Sequence, residues 1–180
     1  MNNRIILDKK LIHLTLERLC YELIENYDDF SNTAIIGVQP RGVFLAERIH
    51  HRLESLLGVK VLYGKLDPTF HRDDFRSRGK HLQAKETDIA FMVDDLEVIL
   101  VDDVLYTGRT IRAALDALMA FGRPRHVELL TLINRRFDRE LPIQPDYYGK
   151  TIDTIEAVHV EVHWADTEGE DCVILSKEDS

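Results

Sequence analysis

Asp102 and Asp103 stand side by side directly after four apolar residues, Val98 to Val101, and are followed by Val104-Leu105-Tyr106-Thr107-Gly108-Arg109-Thr110. Adjacent carboxylates accept hydrogen bonds from two neighbouring hydroxyls, so they suit a vicinal diol. A Thr-Gly turn that opens a helix leaves backbone N–H groups free at the positive end of the helix dipole, where a phosphate monoester settles. A diol and a phosphate on one ligand describe a ribose 5-phosphate. Either feature alone is common in solvated turns, but here one run, Val98 to Thr110, holds both beside a buried strand.

A second anion site is expected earlier in the chain. Gln39-Pro40-Arg41-Gly42 follows the apolar run Thr33 to Val38; Gly42 permits close backbone approach, and the next helix again offers free N–H groups, which suits a pyrophosphate. Between Gly64 and Val93 lies a stretch too long and polar for a routine connection, of the kind that forms lids. Arg72, Arg76, Arg78, Lys80 and Lys85 make it basic inside an acidic chain, with Arg78 and Lys80 reading as solvated surface.

These segments need a scaffold, and alternating strand and helix patterns supply one. Ile12, Leu16, Leu19, Cys20, Leu23 and Tyr27 follow helical spacing after an Asp8 cap. Thr33 to Val38 reads as a buried strand, Val43 to Leu57 as a helix closed by Gly58, and Val59 to Tyr63 as the next strand. Val98 to Val101 is a strand covered on both faces, with the two acids at its solvent-facing carboxyl end. Thr110 to Phe121 reads as a helix ending at Gly122, and Val127 to Ile133 as a strand. This order predicts an α/β fold with a mainly parallel twisted sheet flanked by helices, its ligands at the carboxyl ends of the strands. Val158 to Trp164 and Cys172 to Leu175, around Gly169, read as a hairpin outside that core.

The 180 residues are 44% apolar and 31% charged, which fits one globular enzyme domain over 1–180. No export signal and no apolar run of about 18 residues is seen, so a cytoplasmic protein without a membrane partner is expected. Cys20 and Cys172 read as small buried hydrophobes, and His159 with His163 share a strand face without further ligands at metal-binding spacing. A net charge of −9 argues against extensive nonspecific phosphate binding. Arg123, Arg125, Arg135, Arg136 and Arg139 form a candidate local patch for RNA, explained equally well as surface solubilisation.

The Val98 to Thr110 run resembles the phosphoribosyl-pyrophosphate signature of the type I phosphoribosyltransferases. Its Val-Leu-Tyr-Thr-Gly-Arg-Thr form is most similar to pyrimidine-operon attenuation regulators that double as uracil phosphoribosyltransferases. Gln39 to Gly42, Arg72-Asp73-Asp74, Arg139 to Ile143 and Asp146 to Lys150 match that branch too, so the resemblance covers nearly the whole chain. It implies the type I phosphoribosyltransferase fold, with a flexible loop at about 64–93 and a small hood over the nucleobase at about 134–180. It also implies transfer of ribose 5-phosphate from phosphoribosyl pyrophosphate to uracil with Mg²⁺, giving UMP and pyrophosphate. Asp102, Asp103 and Arg72 would be catalytic, whereas Pro40, Arg41, Gly42 and the run Val104, Leu105, Tyr106, Thr107, Gly108, Arg109 and Thr110 would bind substrate. Mg²⁺ would be held through substrate oxygens near Asp102 and Asp103. Further implied partners are UTP, a pyrimidine-gene leader RNA contacted by Arg135, Arg136 and Arg139, and other copies of the chain in a dimer or larger homo-oligomer. Two features depart from the family: His71 replaces a usually aromatic residue, and Asn134 to Asp138 differs from the usual Asp-Arg-Gly and is about one residue longer. A regulator with little catalysis and a phosphoribosyltransferase for another base stay open as alternatives.

Overall fold

A computed structural model of the chain describes residues 4–73, 84–153 and 158–177. Asp74, Arg76, Arg78 and Lys80 lie outside the described residues. Asp8 accepts the Leu11 N–H at 2.8 Å and caps α1 (Lys9–Tyr27), which buries Ile12, Leu19, Cys20 and Leu23. Then follow β2 (Thr33–Val38), after the short N-terminal β1 (Arg4–Leu7), and α2 (Gly42–Leu57), ended by Gly58 in the left-handed conformation. β3 (Leu62–Leu66), β4 (Glu97–Leu105), α3 (Arg109–Leu118), β5 (His126–Arg135) and β6 (Tyr147–Ile152) complete the central layers.

The central sheet has the order β3-β2-β4-β5-β6, and every neighbouring pair is parallel. Because side chains alternate across a strand, β4 feeds two cores. Ile99 and Val101 pack with Leu19, Leu45 and Ile49 of α1 and α2, whereas Val98 and Leu100 pack with Ile111, Ala114 and Leu118 of α3. Each fully buried aliphatic side chain here contributes about 1.5–3 kcal/mol. Covering both faces explains the unbroken apolar runs of β2 and β4.

A second, antiparallel sheet has the order β1-β8-β7, built from β1, β7 (Val158–His163) and β8 (Cys172–Lys177), with the short helix α4 (Ala165–Glu168) between the last two. Val160, Val162, Trp164 and Val173 anchor it in the α1/α2 core. Arg48 of α2 stacks over the Trp164 ring at 4.4 Å and donates to Asp166 at 2.7 Å, fastening this sheet to the main body.

Several boundaries differ from expectation. The strand expected at Val59 to Tyr63 runs from Leu62 to Leu66, because pairing with Ala34 to Val38 sets the span of this edge strand and leaves Val59 exposed. The helix expected to reach Phe121 ends at Leu118 and tightens into a 3₁₀ turn over Met119–Phe121. Tyr147 to Ile152, expected within the hood, is the outer strand of the central sheet, and β1 takes a place in the hood sheet instead. The ends of the expected loop 64–93 are held: Lys65 and Asp88 exchange two 2.8 Å backbone bonds, and Asp67 accepts the Lys85 N–H. Both cysteines are buried free thiols, and burial pushes the Cys20 thiol up to about 12.

Candidate active site

The site forms where β4 leaves the sheet. β4 continues through both acids to Leu105, and Asp102 and Asp103 are only 7% and 8% exposed, so the expected solvent-facing strand end is a buried floor. The strand stays paired to β5 here, with Thr131 and Ile133 opposite Asp102 and Val104, and the start of α2 packs on its face, where Gly42 lies against Asp102. Each carboxylate turns onto the next backbone: Asp102 Oδ1 accepts the Asp103 N–H at 2.9 Å, and Asp103 Oδ1 accepts the Val104 N–H at 2.8 Å. Burial, reinforced by the neighbouring Asp103 charge, pushes the Asp102 carboxyl well above the usual range. Burial raises Asp103 as well, opposed by the Arg41 guanidinium. Such a pair gains from hydroxyl donors or a cation that stabilises its ionised form.

After the acids, Gly108 adopts φ +91° and starts α3, a conformation that side chains rarely tolerate. Thr107 Oγ1 accepts the Arg109 N–H at 3.3 Å, and the Thr107 carbonyl accepts N–H groups of Glu140 and Leu141 at 3.0 and 3.2 Å. The first N–H groups of α3 have no preceding helical carbonyl and face the same hollow, a site for an anion. This hollow has a volume of about 1050 Å³, with Asp102 at one side, Tyr106 to Ile111 along another, and Arg72 and His159 on its walls.

The segment before residue 74 is docked on α3. Arg72 donates to Thr110 Oγ1 at 3.2 Å, Arg112 donates to the His71 carbonyl at 2.6 Å, and Arg109 pairs with Asp73. Arg109 also bonds Glu140 at 2.5 Å, so its guanidinium clasps two loops while its backbone starts α3. The charge of Arg72 is near enough to Asp102 to favour its ionised form.

Arg135 and Arg139 do not form the surface patch expected of them. Arg135 is 6% exposed, its guanidinium lies 4.0 Å over the Tyr106 ring, and it bonds Asp138 at 2.9 Å. Arg139 donates to the Tyr106 carbonyl and to Asn134 Oδ1, the latter at 2.7 Å. Neighbouring acids and amides draw both arginines inward, where they brace the back of the phosphate turn. Of the three, Arg136 is exposed, at 56% of its side chain, and it pairs with Asp153.

A smaller cleft of about 370 Å³ adjoins the large one, between Asp103, Val104 and Arg41 on one side and β7 with Glu168 on the other. Arg41 crosses it. Its guanidinium reaches Asp103 Oδ2 at 3.4 Å, Glu168 Oε1 at 2.9 Å and the Val162 carbonyl. Burial works against the Glu168 charge, yet hydrogen bonds from Thr167, Arg41 and the Trp164 N–H bring its carboxyl down to about 2. Pro40 follows a cis peptide bond and walls neither cavity. Gly42 does allow a close approach, but to β4: a Cβ there would lie 2.8 Å from Asp102 Cα and 3.0 Å from Asp102 Oδ1. The sequence reading missed Glu168 and weighed His159 and His163 only as metal ligands; the alternation of β7, apolar at Val160, Val162 and Trp164, places Glu161 on their face as well.

The family model described as phosphoribosyl transferase domain matches residues 2–167. A protein of Limosilactobacillus fermentum named bifunctional protein PyrR is 48% identical over 87% of this chain and 89% of its own. A protein of the same name from Desulfosudis oleivorans is 45% identical over 95% of this chain and 94% of its own. Among solved structures, the hypoxanthine phosphoribosyltransferase of Trypanosoma cruzi superposes with a TM-score of 0.71 over 97% of both chains at 16% identity, a likeness of fold.

Proposed function

Since the chain belongs to the phosphoribosyl transferase family, within the group of bifunctional PyrR proteins, we propose that it transfers ribose 5-phosphate from phosphoribosyl pyrophosphate to uracil. The observation that carries this reading is a pair of buried adjacent carboxylates at the junction of two cavities: Asp102 lines the 1050 Å³ cavity together with the start of α3, and Asp103 lines the adjoining cleft that suits the base. Asp102 and Asp103 hold the ribose hydroxyls, the N–H groups after Thr107 hold the 5-phosphate, and Tyr106, braced by Arg135 and Arg139, keeps that turn in place. The pyrophosphate lies between Arg72 and the start of α2, where charge develops as the glycosidic bond breaks. Displacement at C1′ passes through an oxocarbenium-like state that the two carboxylates stabilise electrostatically, and no covalent enzyme intermediate is needed.

The acids also fit Mg²⁺. Among the described residues no three imidazole, thiolate or carboxylate groups converge to hold a metal by themselves, but two adjacent carboxylates whose ionisation burial opposes line the two adjoining cavities, Asp102 the larger and Asp103 the smaller. Asp102 and Asp103 are the groups placed toward such an ion, which would take its other ligands from substrate oxygens and water. When bound, it neutralises charge on the departing pyrophosphate.

The relatives' name supports a second role, and regulation of pyrimidine genes through leader RNA, responsive to UMP or UTP, is the one proposed. With Arg135 and Arg139 engaged inside the protein, the exposed Arg123, Arg125 and Arg136 are the cations of the expected patch left for RNA. A homo-oligomeric protein of the cytoplasm belongs to the same proposal; among the described residues no helix is long and apolar enough to cross a membrane. The decisive assay measures pyrophosphate release from phosphoribosyl pyrophosphate with uracil, orotate, hypoxanthine or guanine, with and without Mg²⁺. Mg²⁺-dependent turnover is expected with uracil well above the other bases, and preference for a purine overturns the assignment.

A further inference from the structure

We propose that His159 is the general base that removes the N1 proton of the nucleobase, with Glu161 as its positioning residue; this rests on the phosphoribosyl-transfer reading above. Val104 and His159 wall both the large cavity and the small cleft. With ribose phosphate in the first and the base in the second, the bond between them forms at this junction. Of the two side chains there, only the imidazole can accept a proton.

The strand sets its direction. Val160, Val162 and Trp164 are buried in the core, so the alternation of β7 turns His159, Glu161 and His163 away from it, and all three line the cleft. Glu161 Oε1 lies 3.3 Å from His159 Nε2, and Glu161 Oε2 lies 3.2 Å from His163 Nε2. With this carboxylate beside Nε2, the tautomer that carries its proton on Nε2 leaves the lone pair on Nδ1. The other charged groups of the cleft are committed elsewhere: Arg41 bridges Asp103 and Glu168, and Glu168 also accepts from Thr167 and the Trp164 N–H. Across the large cavity Arg72 bonds Thr110 beside the buried Asp102.

The step balances without a co-reactant. The N1–C1′ bond forms as the C1′–O bond to pyrophosphate breaks, and pyrophosphate leaves with that electron pair. The N1 proton passes to His159 Nδ1 and is returned to water after the nucleotide departs.

The test compares uracil with 5-fluorouracil, whose ring fluorine makes the N1 proton more acidic and lessens the need for a base. For His159→Gln, kcat with uracil is expected to fall about 100-fold or more, and the penalty with 5-fluorouracil to be about tenfold smaller. The acid limb of the kcat–pH profile disappears in this variant, whereas KM for phosphoribosyl pyrophosphate and the affinity for UMP stay near wild type. Glu161→Gln removes the carboxylate beside Nε2 and is expected to lower kcat with uracil while KM for phosphoribosyl pyrophosphate stays near wild type. Equal penalties for the two bases, or an acid limb that survives His159→Gln, overturns the inference while an active wild type leaves the functional reading standing. A wild type inactive with every base overturns both.

Discussion

Asp102→Asn is expected to make the free protein more stable and the enzyme worse. The carboxylate is 7% exposed, sits beside a second acid, and has its proton affinity raised by burial first and by Asp103 second. Asparagine keeps the shape and the Oδ1 acceptor that receives the Asp103 N–H at 2.9 Å, so it removes the charge without opening a cavity. A raised folded-state pKa means that the native protein binds the proton more tightly than the unfolded chain. The resulting penalty is absent below the unfolded value, near 3.8, and grows as pH rises toward the folded value. Every unit of elevation withholds about 1.4 kcal/mol once the group is ionised, so the variant is expected to be the more stable protein at neutral pH. For a chain of this size that raises Tm by about 2–4 °C per kcal/mol.

The same change removes a charge-assisted acceptor for a ribose hydroxyl, worth about 1.5–3 kcal/mol, or about 10- to 150-fold in kcat/KM. Thermal melts of wild type and variant from pH 4 to 8, without substrate, read the first effect, and steady-state turnover reads the second. Acid destabilisation from other groups is common to both proteins, so the gap in Tm isolates Asp102. A gap that is zero or negative at pH 7.5, or that does not widen between pH 4 and neutrality, refutes the reasoning.

Two further outcomes follow from packing. Gly42→Ala places a Cβ 2.8 Å from Asp102 Cα, a backbone atom that cannot swing aside, so urea denaturation is expected to show a loss of about 1–3 kcal/mol, with a raised KM for phosphoribosyl pyrophosphate. Arg135→Ala removes the stack on Tyr106 and strands Asp138, with an expected loss of about 1–3 kcal/mol and a looser phosphate turn, whereas Arg136→Ala stays within about 0.5 kcal/mol; a melt and a KM measurement check both.

The sheet and the phosphate turn were legible because their signals are local. Thr33 to Val38 reads as a strand from its own residues, Asp8 and Gly58 bracket helices at fixed offsets, and Asp102 to Thr110 reads as strand end, turn and helix start in one run. Where pairing decides, local reading slipped. β3 starts at Leu62 because β2 sets its register, and Tyr147 to Ile152 reads as polar tail until β5 is available to pair with it. Burial of the acids escaped the same way, since the continued pairing with β5 and the close approach of Gly42 on α2 both come from distant parts of the chain.

The arginines show the limit most sharply, because sequence counts charges but does not assign their partners. Arg135 and Arg139 look like surface cations in a basic cluster, yet Asn134 and Asp138 sit within a few residues and the Tyr106 ring and carbonyl lie across the next strand. Arg41 looks like a pyrophosphate ligand from its loop alone. In the fold its guanidinium joins Asp103, 62 residues away, to Glu168, 127 residues away, and to the backbone of β7. One side chain therefore ties Asp103 to the β7 wall of the smaller cleft. Arg41→Ala is therefore expected to free Asp103 and Glu168 together and to loosen β7 against β4, which a thermal melt of the variant checks.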